Sequence, residues 1–141
     1  MFRYLAWSAS LLAGVFNASV ALAAPASFDM EVKDPYIQAA PAGQAGSAAF
    51  MRLENTGRAT HALTSVQSVV AESAQLQNAK DAVPLPRIEV PAGGQMELHA
   101  DGPHIELSGL KEELKPGESV SLTLIFDDGS QTSVLAPVRA D

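Results

Sequence analysis

The sequence contains no cysteine among its 141 residues. This absence excludes disulfide bonds, thiolate-bound zinc or iron–sulfur sites, and a cysteine nucleophile. Positive charge is also scarce, because 9 Lys and Arg residues stand against 16 Asp and Glu residues, a formal net charge of −7. An acidic chain without clustered basic residues argues against a nucleic-acid-binding surface. Hydrophobic residues make up 47% of the chain, which is enough for the core of a single folded domain.

The first 23 residues have the features of a secretory signal peptide. Arg3 is their only charged residue, residues 5–22 are mostly apolar, and Ala21-Leu22-Ala23 fits the small-x-small cleavage pattern. An uncleaved membrane anchor is the alternative, but several Ser, Gly and Asn residues interrupt the apolar stretch. We expect residues 1–23 to be the signal peptide and residues 24–141 to be one exported, periplasmic domain. The mature chain is predicted to be monomeric and to lack a membrane span.

Apolar and polar residues alternate along most of the mature chain, which is the period of a strand with one buried face. Seven to nine short strands separated by turns, without a long amphipathic helix, predict a single all-β domain, an antiparallel β-sandwich or barrel. The predicted strands cover approximately residues 28–33, 49–54, 62–67, 74–77, 88–90, 96–98, 105–107, 120–126 and 132–138.

Local signals also predict how these strands are connected. Asp34-Pro35 is expected to end the first strand, and residues 78–87 are expected to form a loop. Pro91-Ala92-Gly93-Gly94 has the composition of a turn that closes a hairpin between its two flanking strands. Residues 111–116 could hold a single helical turn. Asp127-Asp128-Gly129 fits a hairpin turn better than the start of a cation-binding loop, because no regular series of oxygen ligands follows it.

No catalytic set of residues emerges from the sequence. Ser residues are numerous, but none lies in a nucleophile-elbow pattern. Glu112-Glu113 lies in a polar turn, and nothing there would separate the two carboxyl groups into an acid and a base. We therefore expect that this protein is not an enzyme.

The remaining candidates are imidazole and thioether groups that could bind a metal ion. Met51 and Met96 fall in the apolar phase of their strands, which favours a role in the core. His61 and His99 lie at strand ends, where an imidazole facing solvent needs no special function. His104 follows a Gly-Pro pair at the entrance to a strand, at a loop-crowded end of the predicted sandwich. Local sequence leaves open whether it is a metal ligand.

Five segments follow one another in a characteristic order. They are VKDPYIQAAP (32–41), AAFMRLENTG (48–57), IEVPAGG (88–94), GPHIELSGLK (102–111), and LKPGE (114–118), which leads into LTLIF (122–126). Together they resemble the PCu(A)C-type periplasmic copper chaperones, which are small, Cys-free proteins, over roughly residues 30–138. The resemblance implies a cupredoxin-like antiparallel Greek-key β-sandwich, a role in handling copper, and a copper donor or acceptor protein in the periplasm as partner.

The metal motif of that family is only partly present here. The family binds Cu(I) through a His, a later Met and a His-x-Met pair. In this chain the pair reads His104-Ile105-Glu106, the first His aligns with Gln77, and Leu85 is the nearest match to the intervening Met. The resemblance therefore implies a site of His104, Glu106 and Gln77. Without thioethers, these residues suit weak binding of Cu(II) or Zn(II) better than Cu(I).

Two functions from different classes remain open. The first is a member of the copper-chaperone family with a degenerate site, which binds or passes copper toward respiratory oxidase assembly or copper homeostasis. The second is a periplasmic interaction module that kept the β-sandwich but no longer binds a metal, because fold alone does not determine function.

Overall fold

The computed structural model describes residues 24–78 and 83–140, and the predicted signal peptide lies outside these described residues. They contain one four-residue helix and ten strands, slightly more strands than the sequence predicts. No helix in the described part of the chain is long and apolar enough to cross a membrane. The elements are α1 (Ala26–Asp29), β1 (Met30–Gln38), β2 (Gly46–Asn55), β3 (His61–Ser68), β4 (Ala71–Asn78), β5 (Val83–Pro84), β6 (Ile88–Val90), β7 (Gln95–Leu98), β8 (Pro103–Leu110), β9 (Ser119–Phe126) and β10 (Gln131–Arg139).

The strands form one curled sheet that folds into two layers. Its hydrogen-bonded order is β5-β4-β8-β2-β1-β10-β9-β3-β6, with β7 also paired to β2. Every pair is antiparallel except β1 with β10, where Ile37 lies opposite Val138 in a short parallel segment. β1 therefore joins the layer that contains β2 to the layer that contains β10. The all-β sandwich predicted from the sequence is confirmed, with one parallel contact that the sequence did not indicate.

The core lies between the two layers and follows from the period of two along the strands. In β2, Ala49, Met51 and Leu53 are buried, and in β9 the same is true of Leu122 and Leu124. Each fully buried Leu stabilises the fold by roughly 1.5–3 kcal/mol relative to an exposed one. Met51 is thus a core residue, as predicted, and Met96 is half-buried and packs against the same cluster.

The prediction that Asp34-Pro35 ends the first strand is wrong. β1 continues through both residues, because the register against β2 shifts between Lys33 and Tyr36 in a bulge. Asp34 adopts a positive φ of 49° there, a conformation that Asp tolerates better than most residues. A bulge also accommodates Pro35, which has no N–H to donate to the sheet. Phe28, expected on the buried face of this strand, instead lies in α1 and is 76% exposed.

The predicted hairpin around residues 91–94 is also wrong. β6 pairs with β3 and β7 pairs with β2, so the turn carries the chain from one layer to the other. The segment 78–87, expected to be a loop, contains β5, whose Pro84 pairs with Gln77 at the end of β4. Residues 111–116 form no helical turn, because Leu114 instead makes an isolated bridge to Ala40. The turn at Asp127-Asp128-Gly129 joins β9 to β10, as predicted.

A buried amide ties the two layers together at the end of β2. Asn55 is 2% exposed, and its Nδ2 donates to the carbonyl oxygens of Ala59 (2.8 Å) and Val90 (3.0 Å). Its Oδ1 accepts a hydrogen bond from the Gly57 N–H at 2.9 Å. Since Val90 belongs to β6 in the other layer, one side chain connects both layers and the loop after β2.

Replacing Asn55 should therefore destabilise the fold strongly. We expect Asn55→Ala to lower the free energy of unfolding by about 3 kcal/mol, because it leaves buried carbonyl and N–H groups without partners. Urea denaturation measures this loss, with the exposed Gln131→Ala as a control that should change stability little. A loss below about 1 kcal/mol would show that the amide network is not important for the fold.

The segment before β1 is held by the turn between β9 and β10. Ala26 is fully buried, and its N–H donates to Asp128 Oδ2 at 2.8 Å. The Ser27 N–H donates to Ser130 Oγ at 3.0 Å. The hydrogen bond from the Ser130 hydroxyl, with those from the N–H groups of Ala26 and Ser130, lowers the pKa of Asp128 from 3.8 to about 2. These bonds favour the ionised carboxylate.

This lowered pKa predicts how stability depends on acid. A depressed pKa in the folded state contributes stability above the ordinary value of 3.8, and this contribution is lost as the pH falls toward about 2. We expect Asp128→Asn to reduce the acid sensitivity of the melting temperature between pH 5 and pH 2. The exposed Asp101→Asn should leave the acid sensitivity unchanged. Equal curves for wild type and Asp128→Asn would contradict the proposed role of the carboxylate.

Candidate metal site

The predicted site residues share the outer face of one layer. Gln77 of β4 lies directly opposite His104 of β8, and Glu106 lies two residues further along β8. Side chains alternate between the two faces of a strand. The buried Leu76 and Ile105, which are paired with each other, therefore point into the core while these three residues point outward. Directly opposite residues of an antiparallel pair have Cβ atoms about 5 Å apart.

His104 faces a carboxylate through one ring nitrogen. Its Nδ1 lies 3.0 Å from the carbonyl oxygen of Gly102, which can only accept, so Nδ1 carries a hydrogen. Nε2 lies 3.4 Å from Oε2 of Glu106. In the neutral ring Nε2 therefore has a lone pair that faces the carboxylate. Two electron-rich groups in this position are possible ligands for a metal cation between them.

A tight turn fixes the carbonyl group that orients His104. The Gly102 N–H donates to the carbonyl oxygen of His99 at 3.1 Å, and the His99 N–H donates to that of Pro103 at 3.0 Å. A Cβ atom on Gly102 would lie 2.8 Å from His99 Nε2. Glycine therefore allows the exposed His99 ring to lie against this turn. The prediction that His99 faces solvent agrees with this arrangement.

A row of rings extends from His104 across the outer face. The centroids of the Phe50 and His104 rings lie 6.1 Å apart, and those of Tyr36 and Phe50 lie 5.2 Å apart. The Arg139 guanidinium lies 4.5 Å from the centroid of Tyr36. Phe50 is consequently only 6% exposed. Because tilted aromatic pairs and a cation over a ring are favourable contacts, this row holds the His104 ring in place.

The other predicted positions are less closely assembled. The Gln77 side chain is half-buried, and its Nε2 donates to Gln75 Oε1 at 3.2 Å. The Glu106 side chain is 34% exposed. Leu85, the nearest match to the family's Met, packs against the hydrophobic core. The structure therefore brings His104 and Glu106 into contact, places Gln77 beside them, and leaves Leu85 on the core side.

His61 differs from its prediction as a solvent-facing residue. It is 7% exposed, and its Nε2 lies 3.2 Å from Asp29 Oδ2. Its Nδ1 lies 4.0 Å from Asp127 Oδ1. His61 is buried because three segments that are distant in the chain meet at the start of β3. No local pattern in the sequence indicates this burial.

The donor set at His104 determines which ions it fits. An imidazole nitrogen, a carboxylate oxygen and an amide oxygen suit Cu(II) or Zn(II), whereas Cu(I) prefers thioether and thiolate sulfur. Both Met51 and Met96 belong to the core, so neither is available on this face. Within residues 24–78 and 83–140, no three His, Cys, Asp or Glu side chains come close enough to hold a metal ion. The site therefore offers two strong ligands and one weak one.

Comparison with known proteins agrees with this architecture. Residues 30–138 match the family described as "Putative lipoprotein LpqE-like". A relative named "Putative lipoprotein Lxx21020", from Leifsonia xyli subsp. xyli (strain CTCB07), is 33% identical over 149 residues. That alignment covers 93% of this chain and 86% of the relative.

Solved structures with the same fold include copper-binding domains. The copper-bound PCuAC domain from PmoF2 superposes with a TM-score of 0.72 at 21% identity, covering 80% of this chain and 94% of that domain. The solution structure of Cu(I)-bound DR1885 from Deinococcus radiodurans gives a TM-score of 0.67 at 30% identity. It covers 86% of this chain and 83% of that structure. The predicted cupredoxin-like Greek-key sandwich is thus confirmed. The chain belongs to the LpqE-like family and is a β-sandwich of the PCuAC type.

Proposed function

We propose that this protein is an exported copper-handling protein whose outer-face site, formed by His104, Glu106 and Gln77, binds Cu(II) weakly. The observation that carries the proposal is the orientation of His104. With Nδ1 bonded to the Gly102 carbonyl, Nε2 faces the Glu106 carboxylate at 3.4 Å. An imidazole whose second nitrogen is held by a backbone carbonyl is a typical oriented metal ligand.

The support for copper as the metal ion comes from proteins similar to this chain. The structures similar to this chain include a copper-bound PCuAC domain and Cu(I)-bound DR1885. The donors in this chain differ, because Glu106 occupies the position of the family's second Met. A hard carboxylate stabilises Cu(II) better than Cu(I). We therefore propose that the oxidised ion is the form that this protein handles.

The proposed role is to bind or pass copper in the periplasm, toward respiratory oxidase assembly or copper homeostasis. The predicted signal peptide and the word lipoprotein in the family's name support export. The sequence has no Cys, so none of its residues offers a thiol for acylation. The partner would be a copper donor or acceptor protein, since a weak site suits transfer better than storage.

Removing the His104 imidazole should weaken copper binding. We expect isothermal titration calorimetry of the wild-type protein with Cu(II) to show one site per chain. His104→Ala should weaken that site by at least about tenfold. His99→Ala is the matched control, because His99 is an exposed imidazole nearby that does not face Glu106. Equal affinity in wild type and His104→Ala would contradict the assigned ligand.

Restoring the family's donors should shift the preference toward Cu(I). We expect the double variant Gln77→His with Glu106→Met to bind Cu(I) at least about tenfold more tightly than wild type, because it adds an imidazole and a thioether. Competition with a Cu(I)-specific chelator measures the affinity. Ser73→His with Ser108→Met is the control, since it places the same two side chains on β4 and β8 at a directly opposite pair that does not include His104. If Gln77→His with Glu106→Met leaves the Cu(I) affinity unchanged, residues 77 and 106 are not at the ligand positions.

The second candidate function is an interaction module that does not bind a metal. It is favoured by the absence, in the part of the chain that the structure describes, of any cluster of three strong metal ligands. Flat titrations with both Cu(I) and Cu(II) would overturn the first function and leave this one.

A further inference from the structure

A second imidazole–carboxylate cluster lies at the start of β3, and the proposed copper site does not use it. The His61 side chain is 8% exposed and lies between Asp29 and Asp127, whose side chains are 21% and 29% exposed. The distances are 3.2 Å from Nε2 to Asp29 and 4.0 Å from Nδ1 to Asp127. Both ring nitrogens therefore face a carboxylate.

The cluster joins the first described segment of the chain to the sandwich. Asp29 is the last residue of α1, and its carbonyl oxygen accepts the Thr56 N–H at 2.9 Å. A Cβ atom on Gly57 would collide with the Asp29 carboxylate, so glycine is needed to leave room for it. Together with the bonds from Ala26 and Ser27 to the turn after β9, this contact holds residues 24–29 in place.

The number of protons on His61 decides how many of its contacts are favourable. A neutral imidazole has one N–H, whereas the imidazolium ion has two and carries a positive charge. When neutral, the ring can donate to only one carboxylate, and the other faces a lone pair. When protonated, it makes a charge-assisted hydrogen bond to Asp29, which is about twice as strong as a neutral one, and it attracts Asp127 as well.

We propose that His61 is a pH-dependent latch that docks residues 24–29 firmly when its imidazole is protonated and loosely when it is neutral. The latch therefore controls how firmly the N-terminal segment of the mature chain packs against the turn after β9 and the start of β3. This inference is independent of copper binding.

The arginine and Asp128 side chains around His61 keep their charge between pH 5 and 8. Histidine ordinarily changes charge between pH 5 and 8. Asp128, whose pKa is about 2, remains ionised throughout. Arg87, 3.4 Å from Asp127, and Arg58, which lines the same cavity as Asp29, remain protonated. On β6, Glu89 is exposed and lies opposite Ala62, the neighbour of His61.

Hydrogen exchange of individual amides tests the latch in the full mature chain without added metal. The amides of Ala26 and Ser27 report on docking, because they donate to the turn after β9. We expect their protection factors, corrected for intrinsic exchange, to fall about fivefold between pH 5.5 and pH 8.0, which is the effect of one partly buried ion pair. Amides in the middle of β9 should show no such fall.

Variants separate the latch from a general effect of pH. His61→Gln keeps a neutral donor, so protection of Ala26 and Ser27 should become independent of pH. If that variant does not fold, Asp29→Asn tests the same contact and should also remove the dependence. His99→Gln, at an exposed imidazole, should behave as wild type. Equal protection at both pH values in wild type, or an unchanged pH dependence in the folded variants, would overturn the proposal.

Discussion

The burial of Ala49, Ile105 and Leu76 side by side fixes the register of β2, β8 and β4, and the outer face of this layer depends on that register. A slip by one residue would turn every side chain of a strand to the opposite face. With these three residues in the core, His104 and Glu106 must point outward. The register that the hydrophobic core sets is therefore enough to bring the proposed ligands together.

The two buried histidines show two ways of holding an imidazole against a carboxylate. His104 and Glu106 lie two residues apart on one strand, so their contact forms as soon as β8 is extended. His61 meets Asp29 and Asp127 only when three segments of the folded chain come together. The first arrangement suits an accessible site on a rigid sheet. The contact of His61 with Asp29 forms only when residues 24–29 dock, and it therefore suits a conformational switch.

In the proposed site, a carboxylate at residue 106 in place of the family's thioether would change the preferred metal ion more than it changes the fold. Glu106 lies on the outer face and is partly exposed, so its charge costs the fold little. The ion that such a site prefers changes with the hardness of the donor. The row formed by Phe50, Tyr36 and Arg139 still supports the His104 ring. The fold and the proposed metal preference thus depend on different side chains in the same layer.

The sequence by itself determined the fold class, most strands and the family, because the period of two and the order of five segments are local properties. It also indicated His104, Glu106 and Gln77 as neighbours, through the resemblance. Only the tertiary structure decided that β1 passes through Asp34-Pro35, that β6 and β7 pair with different strands, and that His61 is buried. Each depends on a partner that is distant in the chain, so neither these strand pairings nor the burial of His61 is encoded by the neighbouring residues in the sequence.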